Sequence, residues 1–93
     1  PDRAAARPLR LLPRPQPIQA MAVVPDQPPI WFRCRGREHR MRCTAGPERL
    51  SAEWWTGETG ARDYYAVEDE AGSRFWVFRE GESGRWYLHG VFE

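Results

Sequence analysis

The stretch Ile30-Trp31-Phe32-Arg33-Cys34-Arg35-Gly36-Arg37-Glu38-His39-Arg40-Met41-Arg42-Cys43 decides the fold class. Ile30, Phe32 and Cys34 alternate with Trp31, Arg33 and Arg35, a period of two that belongs to a strand rather than a helix. Gly36-Arg37 fits the loop of a type II′ hairpin, which places Gly at the first central position. In that register Arg35 faces Glu38, Cys34 faces His39, Arg33 faces Arg40, Phe32 faces Met41 and Trp31 faces Arg42. One face then carries Ile30, Phe32, Cys34, His39, Met41 and Cys43 and reads as core. The other carries Trp31, Arg33, Arg35, Glu38, Arg40 and Arg42 and reads as an Arg/Trp surface.

Outward from the hairpin the β signal continues. Ile18 to Val24 reads as a first strand that ends at Pro25 and Pro28-Pro29. Gly46-Pro47 is expected to end the hairpin. Ser51, a good N-cap, is expected to open a short helical turn over Glu53-Trp54-Trp55, followed by a Gly-rich loop over Thr56–Ala61. Three further strands are expected at Arg62–Asp69, Arg74–Arg79 and Arg85–Phe92, joined by turns at Glu70–Ser73 and Glu80–Gly84. Five to six short antiparallel strands without a long amphipathic helix predict an all-β domain, a small barrel or rolled sheet. Eight of the nine prolines lie in residues 1–29, and all twelve aromatics lie beyond. Residues 1–17 therefore read as an extended arm of polyproline II character, and residues 18–93 as the domain. The Pro25/Pro28 spacing and the alternating prolines fit an SH3-type ligand as well as a plain linker, the commoner use of such a run.

Composition limits what the domain can be. At 93 residues it has room for one small core. Leu, Ile, Val and Phe total only 16, yet the net charge is +1, so the charge imbalance typical of disorder is missing. Five Trp among the twelve aromatics supply core volume instead. No apolar run approaches a membrane span, and no secretory leader is recognisable. With Pro1 first and no initiator Met, the chain reads as a fragment of a longer protein. All fourteen basic residues are Arg, and they are unevenly spread. Residues 30–42 hold five Arg against Glu38, whereas residues 43–93 hold five Arg against ten acids. A basic patch beside an acidic body suits steering toward a charged partner.

Catalytic chemistry finds little support. His39 and His89 both fall in expected strands, and no motif sets either beside a nucleophile. Cys34, His39, Cys43 and His89 form no recognised zinc spacing, and Cys34–His39 adjacency is the single point in favour of a metal site. Cys34 and Cys43 lie about 13 Å apart along a hairpin, too far for a disulfide, which fits a reducing, cytoplasmic setting. Glu68-Asp69-Glu70 reads as a solvated hairpin shoulder rather than a cation loop. No catalytic residue, metal or cofactor is expected. Trp31, Arg33, Arg35, Arg40 and Arg42, with Trp54-Trp55, are the candidate contact residues. Their chemistry fits a protein hot spot, a single-stranded DNA platform, or an outer face kept soluble by Arg stems.

A series of segments then carries a resemblance. Gly46-Pro47-Glu48-Arg49-Leu50, Glu53-Trp54-Trp55, Arg62-Asp63-Tyr64-Tyr65, Val67-Glu68-Asp69, Phe75-Trp76-Val77-Phe78-Arg79 and Arg85-Trp86-Tyr87-Leu88-His89-Gly90-Val91-Phe92 follow in order. Together with the Pro8–Pro15 lead-in, they resemble the C-terminal domain of ImuB, the Y-family DNA polymerase homologue of bacterial mutagenesis cassettes. The resemblance implies a non-catalytic adaptor in SOS-induced translesion synthesis. It also implies contacts with an ImuA-like, RecA-related protein and an error-prone replicative-type polymerase, in the nucleoid-associated cytoplasm. Neither a sliding-clamp motif nor polymerase palm carboxylates have a counterpart in these residues.

Overall fold

A computed structural model describes residues 9–23, 27–51, 61–81 and 83–92. Six strands occupy them: β1 (Leu9–Ala22), β2 (Pro29–Cys34), β3 (Arg37–Ser51), β4 (Ala61–Asp69), β5 (Arg74–Glu80) and β6 (Trp86–Phe92). Each pairs antiparallel with its chain neighbours, and β1 returns to β6, so the order closes into a ring. The all-β expectation holds, and no described residue is helical. Among the described residues no helix is long and apolar enough to cross a membrane.

The ring is uneven. β2 is only six residues long and pairs with the ends of β1 and β3 nearest to it. β1 and β3, at 14 and 15 residues, each continue past β2 to flank a five-strand sheet in the order β3–β4–β5–β6–β1. Strands that serve two sheets must bend, and bulges supply the bend. In β1 the register with β6 jumps between Leu11 and Gln16, and the jump holds Pro13 and Pro15. A proline has no N–H to give a ladder, so its place at a bulge follows from its chemistry. Among the described residues strand pairing is already present at Leu9, well inside the proline-rich run.

β3 likewise continues through Gly46-Pro47, where the sequence had suggested a stop. Its register with β4 skips between Ala45 and Glu48 and again between Met41 and Cys43. Gly46 has φ +123, and a Cβ there would sit 2.7 Å from the Tyr64 carbonyl oxygen. Only glycine meets both demands. The helical turn expected over Ser51–Trp55 and the loop over Thr56–Ala61 lie almost wholly outside the described residues; Ser51 ends β3 and Ala61 begins β4. The turn at Glu70–Ser73 forms as expected, its Asp69 carboxylate accepting the N–H groups of Ala71 and Ser73.

The β2–β3 hairpin turns one residue earlier than expected, on Arg35-Gly36, both at positive φ (54° and 79°). Two left-handed residues in a two-residue loop match the type I′ turn, whose twist suits the flanking strands. The register becomes Trp31↔Arg40, Phe32↔His39, Arg33↔Glu38 and Cys34↔Arg37. The slide is by two positions, so the side chains keep their faces.

Phe32, Tyr65, Val67, Phe75, Val77, Trp86 and Leu88 fill the ring, with Ile18, Ala20, Cys34 and Met41 against them. Two expected core residues are outside. Ile30 is 48% exposed because a bulge pairs Ala22 with Pro29 and Met21 with Trp31, so Pro29 takes the buried place. Cys43 is exposed because the extra residue Arg42 turns it to the Glu68 side. Tyr64 and Phe78 lie on the opposite face of β4 and β5 from this core, yet each is 1% exposed. Tyr64 stacks on Trp76 at 4.1 Å between centroids and lies 5.0 Å from Phe78. β4 and β5 are thus buried on both faces where Tyr64 and Phe78 stand.

Gly46→Ala should destabilise the domain by about 3 kcal/mol or more, since left-handed strain and a backbone clash add. Gly72→Ala should cost about 1 kcal/mol: φ is +91 there, but nothing lies within 4 Å of the added methyl. Urea unfolding of both variants checks the order; equal costs would show that the Tyr64 carbonyl yields freely.

Candidate partner-binding surface

The outer face of β2–β3 collects Trp31, Arg33, Glu38 and Arg40. Trp31 and Arg40 are cross-strand partners, as are Arg33 and Glu38. Glu38 organises the group: Arg33 Nη2 donates to its Oε2 at 2.6 Å, and the Trp31 indole N–H reaches its Oε1 at 3.4 Å. The Arg33 guanidinium carbon is 5.8 Å from the indole centroid. Hydrogen bonds from Arg33 and then Trp31 hold the exposed Glu38 carboxyl below its ordinary range. The indole is therefore fixed by its edge, with its face left partly open.

Arg35, in the turn, reaches Gln16 of β1 at 3.4 Å. Arg42 is separated from the group. Past its bulge it binds Glu68, whose other oxygen lies 3.6 Å from Arg74. Trp54 and Trp55 lie outside the described residues. The candidate residues thus divide into a joined set (Trp31, Arg33, Arg40, with Arg35 at its rim) and Arg42, already neutralised elsewhere.

Beside Trp31 runs an exposed apolar row that strand alternation alone did not reveal. Met21 is its cross-strand partner on β1 and is 58% exposed; Val23 is 75% and Ile30 48% exposed. The row depends on the bulge at Ile30, the extra residue of β2 opposite Met21–Ala22, which alternation does not show. On the other side β1 brings Pro17 and Gln19, and β6 brings Tyr87, to the same outer face.

Two buried polar groups hold the scaffold. His39 is stacked on Phe32 (4.7 Å) and edge-on to Phe75 (4.9 Å), and its Nδ1 is 2.8 Å from Asp69 Oδ2. Burial pushes the Asp69 carboxyl up, but the hydrogen bonds from His39, Ser73 and Ala71 outweigh it and hold the group low. As an ionised acceptor it fixes His39 Nδ1 as the donor. On the opposite face, Arg62 donates to the Tyr64 hydroxyl at 3.1 Å, and that hydroxyl lies 2.8 Å from His89 Nδ1. Burial raises the Tyr64 phenol, and burial followed by the Arg62 charge lowers His89. The phenol O–H therefore donates to a neutral imidazole. Cys34 is free, its thiol raised by burial against a smaller opposing effect of Arg35, and it pairs with Arg37 rather than His39. That removes the adjacency on which a metal site could have rested. Among the described residues no three His, Cys, Asp or Glu groups gather as metal ligands.

The proline-threaded β1, the Gly46-Pro47 bulge and the aromatic β4–β6 face are built by the same segments that carry the family resemblance. The ImuB proteins of two Caulobacter vibrioides strains, NA1000 / CB15N and ATCC 19089 / CIP 103742 / CB 15, are each 49% identical to the chain over 106 aligned residues. The match takes in 99% of the chain and lies in the C-terminal part of the relatives. By sequence this is an ImuB-type C-terminal domain. The chain spans about a quarter (23%) of the length of the ImuB relatives it matches. No family model and no solved structure matches it.

Stability of this ImuB-type domain should fall in two steps on acidification. His89 has a lower pKa folded than unfolded, so its contribution is complete above the ordinary imidazole range and is lost as pH falls through it. Asp69 has the same sign at lower pH: its contribution is complete above the ordinary carboxylate range and is lost below it. Urea midpoints measured between pH 7.5 and 3 should show both steps, and Asp69→Asn should flatten the lower one.

Proposed function

We propose that the chain is a non-catalytic docking domain of an ImuB-like protein, gathering partners for SOS-induced translesion synthesis on damaged DNA. The observation that carries this reading is the exposed row Met21, Val23 and Ile30 beside Trp31, rimmed by Arg33 and Arg40. Contiguous apolar side chains at an exposed face, ending in a Trp and bordered by Arg, have the make-up of a protein-binding hot spot. The indole is pre-ordered by Glu38, so less side-chain freedom is lost when a partner packs on it. The likeness to ImuB supports a place in DNA damage tolerance. The partners that fit are an ImuA-like, RecA-related protein and an error-prone replicative-type polymerase, in the cytoplasm at the nucleoid. The domain's part is to hold them, with the chemistry left to the polymerase.

Purified ImuA-like protein titrated against this chain by calorimetry should give saturable binding. Ile30→Glu should weaken it by about 2 kcal/mol or more, and Trp31→Ala by a similar amount. Arg42→Ala should change it little, since Glu68 already holds that side chain. Full binding by Ile30→Glu would move the docking surface off this face.

A further inference from the structure

A second surface adjoins the apolar row on its other side and has a different chemistry. Where β1 passes from β6 to β2, the outer face opens into a groove of about 490 Å³, walled by Trp31, Tyr87, Arg85 and the Pro17–Ala20 stretch of β1. A neighbouring hollow of about 270 Å³ shares Pro17–Gln19 and adds Arg33 and Arg35. The ladders put these side chains on one face: Tyr87 is level with Pro17, Arg33 with Gln19, Trp31 with Met21 and Arg40 with Trp31. Tyr87 is braced from behind by Phe78, stacked at 5.1 Å.

The charges of this face are unbalanced. Arg35, Arg40 and Arg85 form no ion pair among the described residues. Glu38 is engaged by Arg33, and Glu80, opposite Arg85 on β5, accepts a hydrogen bond from Ser83. Two partly open aromatic rings thus stand four rungs and two strands apart, about 13 Å along and about 10 Å across the sheet. That is too far for one base and suitable for two. Guanidinium groups lie between and beyond them, where the backbone joining two stacked bases would run.

From this arrangement we propose that the Tyr87–Trp31 groove binds single-stranded nucleic acid, with the two rings stacking bases and Arg35, Arg40 and Arg85 holding phosphates. An acidic protein segment would match the charge equally, but it has no planar groups to place on two separated rings. A duplex keeps its bases paired and stacked and offers these rings nothing to stack on. The groove shares Trp31 and Arg40 with the docking face but uses none of Met21, Val23 or Ile30, so a change at Ile30 tests the two apart.

Fluorescein-labelled dT15 and rU15, followed by anisotropy against this chain at several salt concentrations, test the proposal. Binding should weaken linearly in log–log form with a slope of about −2, for three phosphate contacts at about −0.7 each. Arg35→Ala with Arg85→Ala should reduce the slope by about 1.4. Trp31→Ala or Tyr87→Ala should weaken binding about five- to one-hundred-fold with the slope kept, while Trp31→Phe, which retains a ring and the fold, should restore most of it. Preference for dT15 over rU15, or the reverse, assigns DNA or RNA. Ile30→Glu should leave oligonucleotide binding in place while weakening the protein partner. Absence of oligonucleotide binding overturns the proposal. So does equal binding of polyglutamate, or a Trp31→Ala variant that binds as tightly as the parent.

Discussion

The structure depends on two long strands that each belong to two sheets. β1 and β3 hold the five-strand sheet at one end and the short β2 at the other, and everything inside the ring is enclosed because they bend. A strand of 14 or 15 residues with unbroken alternation would run straight past β2. Extra residues at Leu11–Gln16 in β1, and at Met41–Cys43 and Ala45–Glu48 in β3, provide the curvature, and Ile30 is the extra residue of β2 opposite Met21–Ala22. Each bulge also re-aims side chains. The bulges that shape the fold are therefore the ones that expose Ile30 and hand Arg42 to Glu68.

This explains what could be seen in the sequence and what could not. Alternation is a local property, so β2, β4, β5, β6 and the faces of the central hairpin were legible from residues such as Phe32, Val67, Val77 and Leu88. The two faces survived even a wrong turn type, because a slip of two leaves parity intact. Bulges break parity without a marker of their own. Ile30 and Cys43 were misplaced for that reason, and Gly46-Pro47 read as a stop although β3 runs through it. Prolines 13 and 15 suggested a free arm, when the same missing N–H groups fit a gap in the ladder.

The candidate surface was legible in half. Trp31, Arg33 and Arg40 share a face because they lie in one hairpin, and the sequence alone places them together. Tyr87, Arg85 and Gln19 come from strands distant in sequence and join them through the closure of β1 on β6. No spacing rule links residues 31 and 87. Conversely, the aromatic residues on both faces of β4 and β5 reflect a structural demand: adjacent Tyr64 and Tyr65 are both buried because both faces there are covered.

Beyond the bulge, the remaining edge of β1 has a consequence for self-association. Over Leu9–Ile18 this strand pairs with β6 on one side, while β2 meets only its far end. An edge that no described residue pairs over that length invites a strand from another molecule. Pro13, Pro15 and Pro17 punctuate it at every second residue, and proline on an edge strand is one of the devices that blunt such pairing. The run that looks like a linker thus also works as a guard rail. It keeps crowded copies of the domain from zipping together backbone to backbone, and leaves recognition to side chains.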